Sequence, residues 1–210
     1  MIKGVIFDLD GVIVSTDQYH YQAWKKMADI ENIYFDEKIN DRLRGVSRME
    51  SLNIILENAN KEYTKNEKIQ LTEFKNEMYK NSLDNLSSED ILPGINELLD
   101  DLKKHNILIA IGSSSKNAKK ILRKIQLENQ FDAISDGTDI TKSKPDPEVF
   151  LIAAQRLGLT PNECAVVEDA HSGILAAKEA NMLAFATGDA KSSKDKDYDF
   201  EQLTEIILKE

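Results

Sequence analysis

Four short stretches of the chain carry residue types that can do chemistry, and each follows an apolar run. They are Asp8-Leu9-Asp10-Gly11-Val12, Gly112-Ser113-Ser114-Ser115-Lys116, the loop Lys142-Ser143-Lys144-Pro145-Asp146-Pro147, and Glu168-Asp169. In an open parallel sheet, ligands bind beyond the carboxyl ends of the strands. The four stretches would then bring acids, hydroxyls, a lysine and further acids to one edge. Carboxylates gathered in one place repel each other unless a cation intervenes. Oxygen donors without His or Cys favour Mg²⁺, which takes few carboxylates and completes its shell with phosphate oxygens and water. Such a cluster bordered by Ser113 and Lys144 is suited to phosphoryl transfer. The chain has neither a G-x-x-x-x-G-K-[ST] loop nor a G-x-G-x-x-G fingerprint, which argues against a nucleotide-driven kinase and a dehydrogenase. The phosphoryl acceptor is then expected to be an enzyme carboxylate, since Asp can form an aspartyl-phosphate.

The elements that must position these residues are legible as alternating patterns. Strands are expected at Gly4–Phe7, Ile107–Ile111, Phe131–Ser135, Cys164–Val167 and Met182–Ala186, apolar enough to be buried on both faces. Helical spacing separates most of them, as in Ile95, Leu98, Leu99 and Leu102. This alternation predicts an α/β fold with a doubly wound, Rossmann-like parallel sheet. Between Val14 and Leu92 no strand is legible, and helical patterns run instead through Tyr19–Met27, Leu52–Ala59 and Ile69–Tyr79. The expected organisation is a core of residues 1–15 and 89–210 interrupted by a helical cap of residues 16–88. The Lys/Asp-rich stretch 191–197 reads as a solvated loop before a last helix from Phe200 to Leu208.

Composition bounds the partners. The 210 residues include 27 Lys+Arg against 37 Asp+Glu, a formal charge of −10. Nucleic-acid binding needs clustered cations, so no nucleic-acid partner is expected. A small phosphorylated ligand needs only a local basic pocket. One Cys and three His exclude a disulfide framework and a structural zinc site. No apolar run has membrane-spanning length and no signal peptide is legible, so no membrane partner and an intracellular, cytoplasmic location are expected.

Within the insertion, Ser47-Arg48-Met49-Glu50 matches the S-x-x-E capping box and sets a helix start at Arg48. Free N–H groups there, with Arg44 and Arg48 beside them, form a local anion site. Plainer readings compete. Asp8 and Asp10 could be turn residues, Glu168-Asp169 or Ser113 could cap helices, Lys142 rivals Lys144, and His20 and Trp24 could be packing.

Taken in order, Asp8-x-Asp10-Gly11-Val12, the strand ending in Ser113, Lys144-Pro145 and Glu168-Asp169 resemble the haloacid dehalogenase superfamily of aspartate-nucleophile phosphotransferases. The resemblance covers nearly the whole chain, and the insertion resembles that superfamily's helical cap. Thr16, Asp17-Gln18-Tyr19-His20, Trp24, Leu43-Arg44-Gly45-Val46-Ser47-Arg48, Ser51-Leu52 and Gly112-Ser113-Ser114-Ser115-Lys116-Asn117 are similar to the β-phosphoglucomutase branch. The resemblance implies Asp8 as the phosphorylated nucleophile and Asp10 as general acid/base. It implies Mg²⁺ held by Asp8, Asp10 and Asp169 with Glu168 beside them, and Ser113 and Lys144 on the transferring phosphoryl group. Thr16, His20, Trp24, Arg44, Gly45, Val46, Ser47, Arg48, Ser114, Ser115, Lys116 and Asn117 would contact a sugar phosphate or its second phosphate, and His20 would couple binding to cap closure. The implied reaction interconverts β-D-glucose 1-phosphate and glucose 6-phosphate through β-glucose 1,6-bisphosphate, in a monomer. A sugar-phosphate phosphatase on the same scaffold is the alternative. Three places depart from the pattern: Val14 at the hinge, Ala170-His171 after the acids, and a short tail in which the last strand should be weak or missing.

Overall fold

The computed structural model describes residues 1–43 and 46–208. The chain divides into two compact units, Met1–Ser15 with Ser87–Glu210, and Thr16–Leu86. The second crossing comes at Ser87 rather than at residue 89. Ser87 itself caps a short 3-10 turn, accepting from the Glu89 N–H at 3.2 Å while Asp90 accepts from the Ser87 N–H at 2.8 Å.

The first unit is built on six parallel strands in the spatial order β3-β2-β1-β4-β5-β6. They are β1 (Gly4–Phe7), β2 (Leu108–Gly112), β3 (Ala133–Ser135), β4 (Cys164–Glu168), β5 (Leu183–Ala186) and β6 (Tyr198–Asp199). Along β1 and β4 every residue is buried. Ile6, Ala110, Val166 and Ala184 share one core with Val149, Phe150 and Ala153 of α7 (Glu148–Leu157) and Ile174 and Ala177 of α8 (His171–Glu179). Their alternates Val5, Phe7, Ile109, Ile111, Val167 and Phe185 are equally buried. Both faces are therefore covered, as a parallel sheet requires. The first unit also contains α5 (Ile95–Lys104) and α6 (Ala118–Lys124).

Two departures from the sequence pattern, at β3 and in the tail, have local reasons. β3 begins at Ala133 because the Asp132 side chain accepts the Ile109 N–H at 2.8 Å, replacing a ladder bond. The Lys/Asp-rich stretch is not a freely solvated loop. Ser193 is buried, Lys178 grips both carboxylate oxygens of Asp197 at 2.7 and 2.8 Å, and Asp197 also accepts the Ala184 N–H. These bonds seat β6 beside β5 as a strand of two residues. The last helix, α9, spans Leu203–Leu208 and is preceded by a 3-10 turn at Phe200–Gln202.

The second unit is helical: α1 (Asp17–Ile30), α2 (Glu37–Asp41), α3 (Arg48–Leu56) and α4 (Lys65–Ser82). Trp24, Met27, Ile33, Phe35, Leu52 and Ile55 form its core. α3 starts at Arg48 with the reciprocal box in place: Ser47 Oγ accepts from the Glu50 N–H at 3.2 Å, and Glu50 accepts from the Ser47 N–H at 3.1 Å. Among the described residues, no helix is long and apolar enough to cross a membrane.

Candidate active site

In the first unit the ladder carries the chain into the site. The Asp8 N–H donates to the Val167 carbonyl at 2.9 Å, so Asp8 sits just past the end of β1 beside the end of β4. The chain then turns at Gly11, whose φ of +81° favours glycine. A Cβ at Gly11 would also collide with the Asp169 carboxylate. Asp169, one residue past β4, is thus pressed against the Asp8–Gly11 segment.

Lys144, and not Lys142, reaches the acids. Its ammonium donates to Asp8 Oδ1 at 2.5 Å and directly to Glu168 Oε1, and it lies 4.7 Å from the centre of the Phe150 ring. Lys142 stays exposed and pairs with Asp146. Burial alone would depress the Lys144 ammonium, but Asp8 and Glu168 outweigh it and hold its pKa above the ordinary value. Burial pushes the Glu168 carboxyl up, against the pull of Lys144. Glu168 also accepts the Ala170 N–H at 3.0 Å. The side chain fits because residue 173 is Gly; a Cβ there would strike the carboxylate.

The serine loop is ordered by its own hydroxyls. Ser113 Oγ accepts from the Ser115 N–H at 3.1 Å, and Ser115 Oγ accepts from the Asn117 N–H at 3.2 Å. Each hydroxyl keeps its proton to donate. Ser113 and Asn117 are buried, Ser114 and Ser115 half-buried, and Lys116 is exposed. Ser114 Oγ has no hydrogen-bond partner. A network from α7 holds this loop from the side. Arg156 grips Asp139 through two bonds of 2.7 and 2.8 Å, Asp139 accepts the Asp136 N–H, and the buried Asp136 pairs with Lys119 at 3.2 Å. Beside it, the Gly137 N–H donates to the Ser115 carbonyl at 3.1 Å. Arg156 holds the Asp139 carboxyl well below the usual range.

The helical unit brings a second group together. His20 and Trp24 lie on α1, Arg48 opens α3, and Lys75 and Tyr79 lie on α4. Lys75 Nζ lies 2.8 Å from His20 Nδ1 and 4.8 Å from the ring centres of both Trp24 and Tyr79. The His20 and Tyr79 rings are 4.0 Å apart. An ammonium has no lone pair to offer, so Nδ1 is the acceptor and the ring proton sits on Nε2. Burial, then Lys75 and Arg48, lower the His20 pKa well below its ordinary value. Burial also lowers that of Arg48. Thr16 is buried, and its carbonyl accepts the His20 N–H at 3.0 Å. Ser47 and Val46 are half-buried. Arg44 and Gly45 lie outside the described residues.

Sequence reasoning missed Lys75. The signal was present: Thr72, Lys75 and Tyr79 are the buried residues of α4, spaced three and four apart like an apolar stripe. A lysine on such a stripe marks a cation held inside.

Among the described residues, no three acidic, imidazole or thiol side chains converge tightly enough to hold a metal alone. The donor chemistry still fits Mg²⁺. That ion commonly uses one or two carboxylates, with phosphate oxygens and water supplying the rest. Asp8 presents a second carboxylate oxygen besides the one on Lys144, and the Asp169 carboxylate is packed against Gly11, three residues further on.

The chain as a whole is similar to known proteins. The chain is 46% identical over 209 residues to a Bacillus subtilis protein named beta-phosphoglucomutase, covering 99% of this chain and 92% of that one. The crystal structure of beta-phosphoglucomutase from Clostridium difficile superposes with a TM-score of 0.89 at 41% identity, covering 98% of this chain and 96% of that one. A Thermotoga maritima phosphorylated carbohydrates phosphatase is 32% identical, over 86% of this chain and 82% of its own length. The haloacid dehalogenase-like hydrolase family model matches residues 2–181, a span that takes in β1 to β4 and the helical unit. A match over so much of the chain settles its family: the chain belongs to the haloacid dehalogenase-like hydrolases.

Proposed function

We propose that the chain is a phosphomutase that interconverts β-D-glucose 1-phosphate and glucose 6-phosphate through an aspartyl-phosphate on Asp8 and β-glucose 1,6-bisphosphate. The observation that carries this reading is the cationic group of the helical unit. Arg48 at a capped helix start, with the buried Lys75 and His20, is suited to a second anionic group in a chain of charge −10. The identity to the Bacillus subtilis protein supports it.

In this reading an Asp8 carboxylate oxygen attacks the phosphorus, a new O–P bond forms, and the bond from phosphorus to the sugar oxygen breaks. Asp10 gives its proton to the departing sugar oxygen. In the return half, Asp10 takes the proton of a sugar hydroxyl as that oxygen attacks the aspartyl-phosphate and frees Asp8. Ser113 donates its hydroxyl proton to a phosphoryl oxygen, and Lys144 moves its ammonium from Asp8 toward the transferring group. Asp8, the Asp10 carbonyl and Asp169 would hold Mg²⁺ with Glu168 beside them. When bound, the ion neutralises charge on the transferring phosphoryl group. In the helical unit Arg48, with Arg44, takes the phosphate that is not being transferred; in the sheet unit Lys116 and Asn117 contact a phosphate or the sugar. Thr16, Trp24, Gly45, Val46 and Ser47 of the helical unit, and Ser114 and Ser115 of the sheet unit, are assigned to substrate contact.

The protein acts as a monomer in the cytoplasm, without nucleic-acid or membrane partners; the lone Cys164, whose thiol burial pushes up to about 11, is chemically quiet there. The phosphatase relative favours a second reading, hydrolysis of a sugar phosphate, because the nucleophile and acids serve both reactions. Arg48→Ala separates them. For a mutase, formation of glucose 6-phosphate should fall at least about 100-fold while hydrolysis of a small phosphate ester changes little. Equal loss of both activities would favour the phosphatase.

A further inference from the structure

His171 opens α8 two residues after Asp169, and its ring reaches the tail of the chain. Its Nε2 lies 3.1 Å from Ser192 Oγ, and that hydroxyl donates to the Asp189 carbonyl at 2.9 Å. A serine hydroxyl has one proton. With it directed at Asp189, Ser192 is the acceptor and His171 Nε2–H the donor. The bond ties the 3-10 turn Gly188–Ser192 to α8.

The same turn holds the acids from behind. The Thr187 N–H donates to the Glu168 carbonyl and the Ala190 N–H to the Asp169 carbonyl, both at 2.8 Å. Ala190 is wholly buried. A Cβ added at Gly188 would come within 3.3 Å of Asp169 Cβ, so the turn packs directly on that residue. Asp169 is thus held between Gly11 on one side and the Gly188–Ser192 turn on the other.

We propose that His171 is a positioning residue: through Ser192 it latches this turn onto α8 and so sets the place of the Asp169 carboxylate, and with it the affinity for the divalent cation. This rests on the Mg²⁺ site of the proposed function. Groups that orient a metal's ligands change its affinity by roughly 10–100-fold when removed. His171 acts one bond further out and on the surface, so an effect of about three- to tenfold is expected, which is that of one hydrogen bond.

The test is calorimetric titration of MgCl₂ alone into the whole chain, for the native protein, His171→Ala, His171→Gln, Ser192→Ala and the double variant His171→Ala/Ser192→Ala. The latch predicts that each single Ala variant weakens Mg²⁺ binding about three- to tenfold. The double variant should bind no more weakly than either single, since both remove one bond. Gln, which keeps an N–H donor, should restore binding, and the thermal midpoint without Mg²⁺ should stay within a degree or two. Unchanged Mg²⁺ affinity in His171→Ala, with or without a lower midpoint, would overturn the latch and leave His171 a stabilising contact. Multiplying losses in the double variant would overturn it as well. If the native chain itself takes up no Mg²⁺, the metal reading fails first and the latch with it.

Discussion

Lys144 and Lys75 are both almost wholly buried, yet their surroundings differ. Lys144, in the sheet unit, is met by two carboxylates, Asp8 and Glu168. Lys75, in the helical unit, is met by a neutral imidazole nitrogen and two aromatic faces. The first environment raises the lysine above its ordinary pKa; the second lowers the pKa of its neighbour His20. One is suited to a metal ion and a phosphorus atom under attack, the other to an anionic group that stays in place. Buried charge is costly unless it is met, so each lysine also shows where its unit would suffer most from losing a partner.

Four substitutions or conditions break or sharpen this comparison, in falling order of expected effect. Asp8→Asn should reduce turnover by about 10⁴-fold or more, measured as glucose 6-phosphate formed, because a neutral amide cannot replace the carboxylate as nucleophile. Lys144→Met should lower turnover and also destabilise the fold by about 3–5 kcal/mol in denaturant titration, since Asp8 and Glu168 would be left buried without their cation. Lys75→Met should do the reverse in kind. Its apolar side chain can stay under Trp24 and Tyr79, so stability should change less, by about 1–3 kcal/mol, the size of the lost cation–π contacts and of the hydrogen bond to the buried His20. The His20 pKa should then rise toward 6.5, which an NMR titration of the ring would show.

The pH dependence of stability gives the smallest effect, and its sign is fixed. His20 is held neutral in the folded unit, with a pKa below 6.5. Between that lowered value and 6.5 the unfolded chain binds a proton that the folded unit does not. Stability from this group is therefore fully present above pH 6.5 and is lost as pH falls toward the folded value, by at most about 1.4 kcal/mol per pH unit. Denaturant midpoints at about pH 7.5 and 5.5 should differ more for the native chain than for His20→Gln. Equal differences in the two proteins would show that His20 is not held neutral.

The parallel sheet was legible because its strands are continuous apolar runs with Asp, Ser or Glu at their ends. The start of α3 was legible because Ser47 and Glu50 stand three apart. The tail was not, because Asp197 looks like a solvated charge until Lys178 and the Ala184 N–H are brought beside it by the fold. Lys75 was overlooked although it stands on the Thr72, Lys75 and Tyr79 stripe of α4, because the groups that meet it from α1 lie some fifty residues away in sequence. The departure at Ala170-His171 carries no local signal; only the fold brings Ser192 to that ring.

The central claim is that a phosphoryl group rests on Asp8 and passes from there to a sugar. The most direct measurement labels the chain with radioactive β-glucose 1,6-bisphosphate and Mg²⁺, then chases it with unlabelled β-glucose 1-phosphate. The account predicts label on Asp8 before the chase and on sugar phosphate after it, with glucose 6-phosphate accumulating. Label released only as inorganic phosphate, with no glucose 6-phosphate formed, would contradict it.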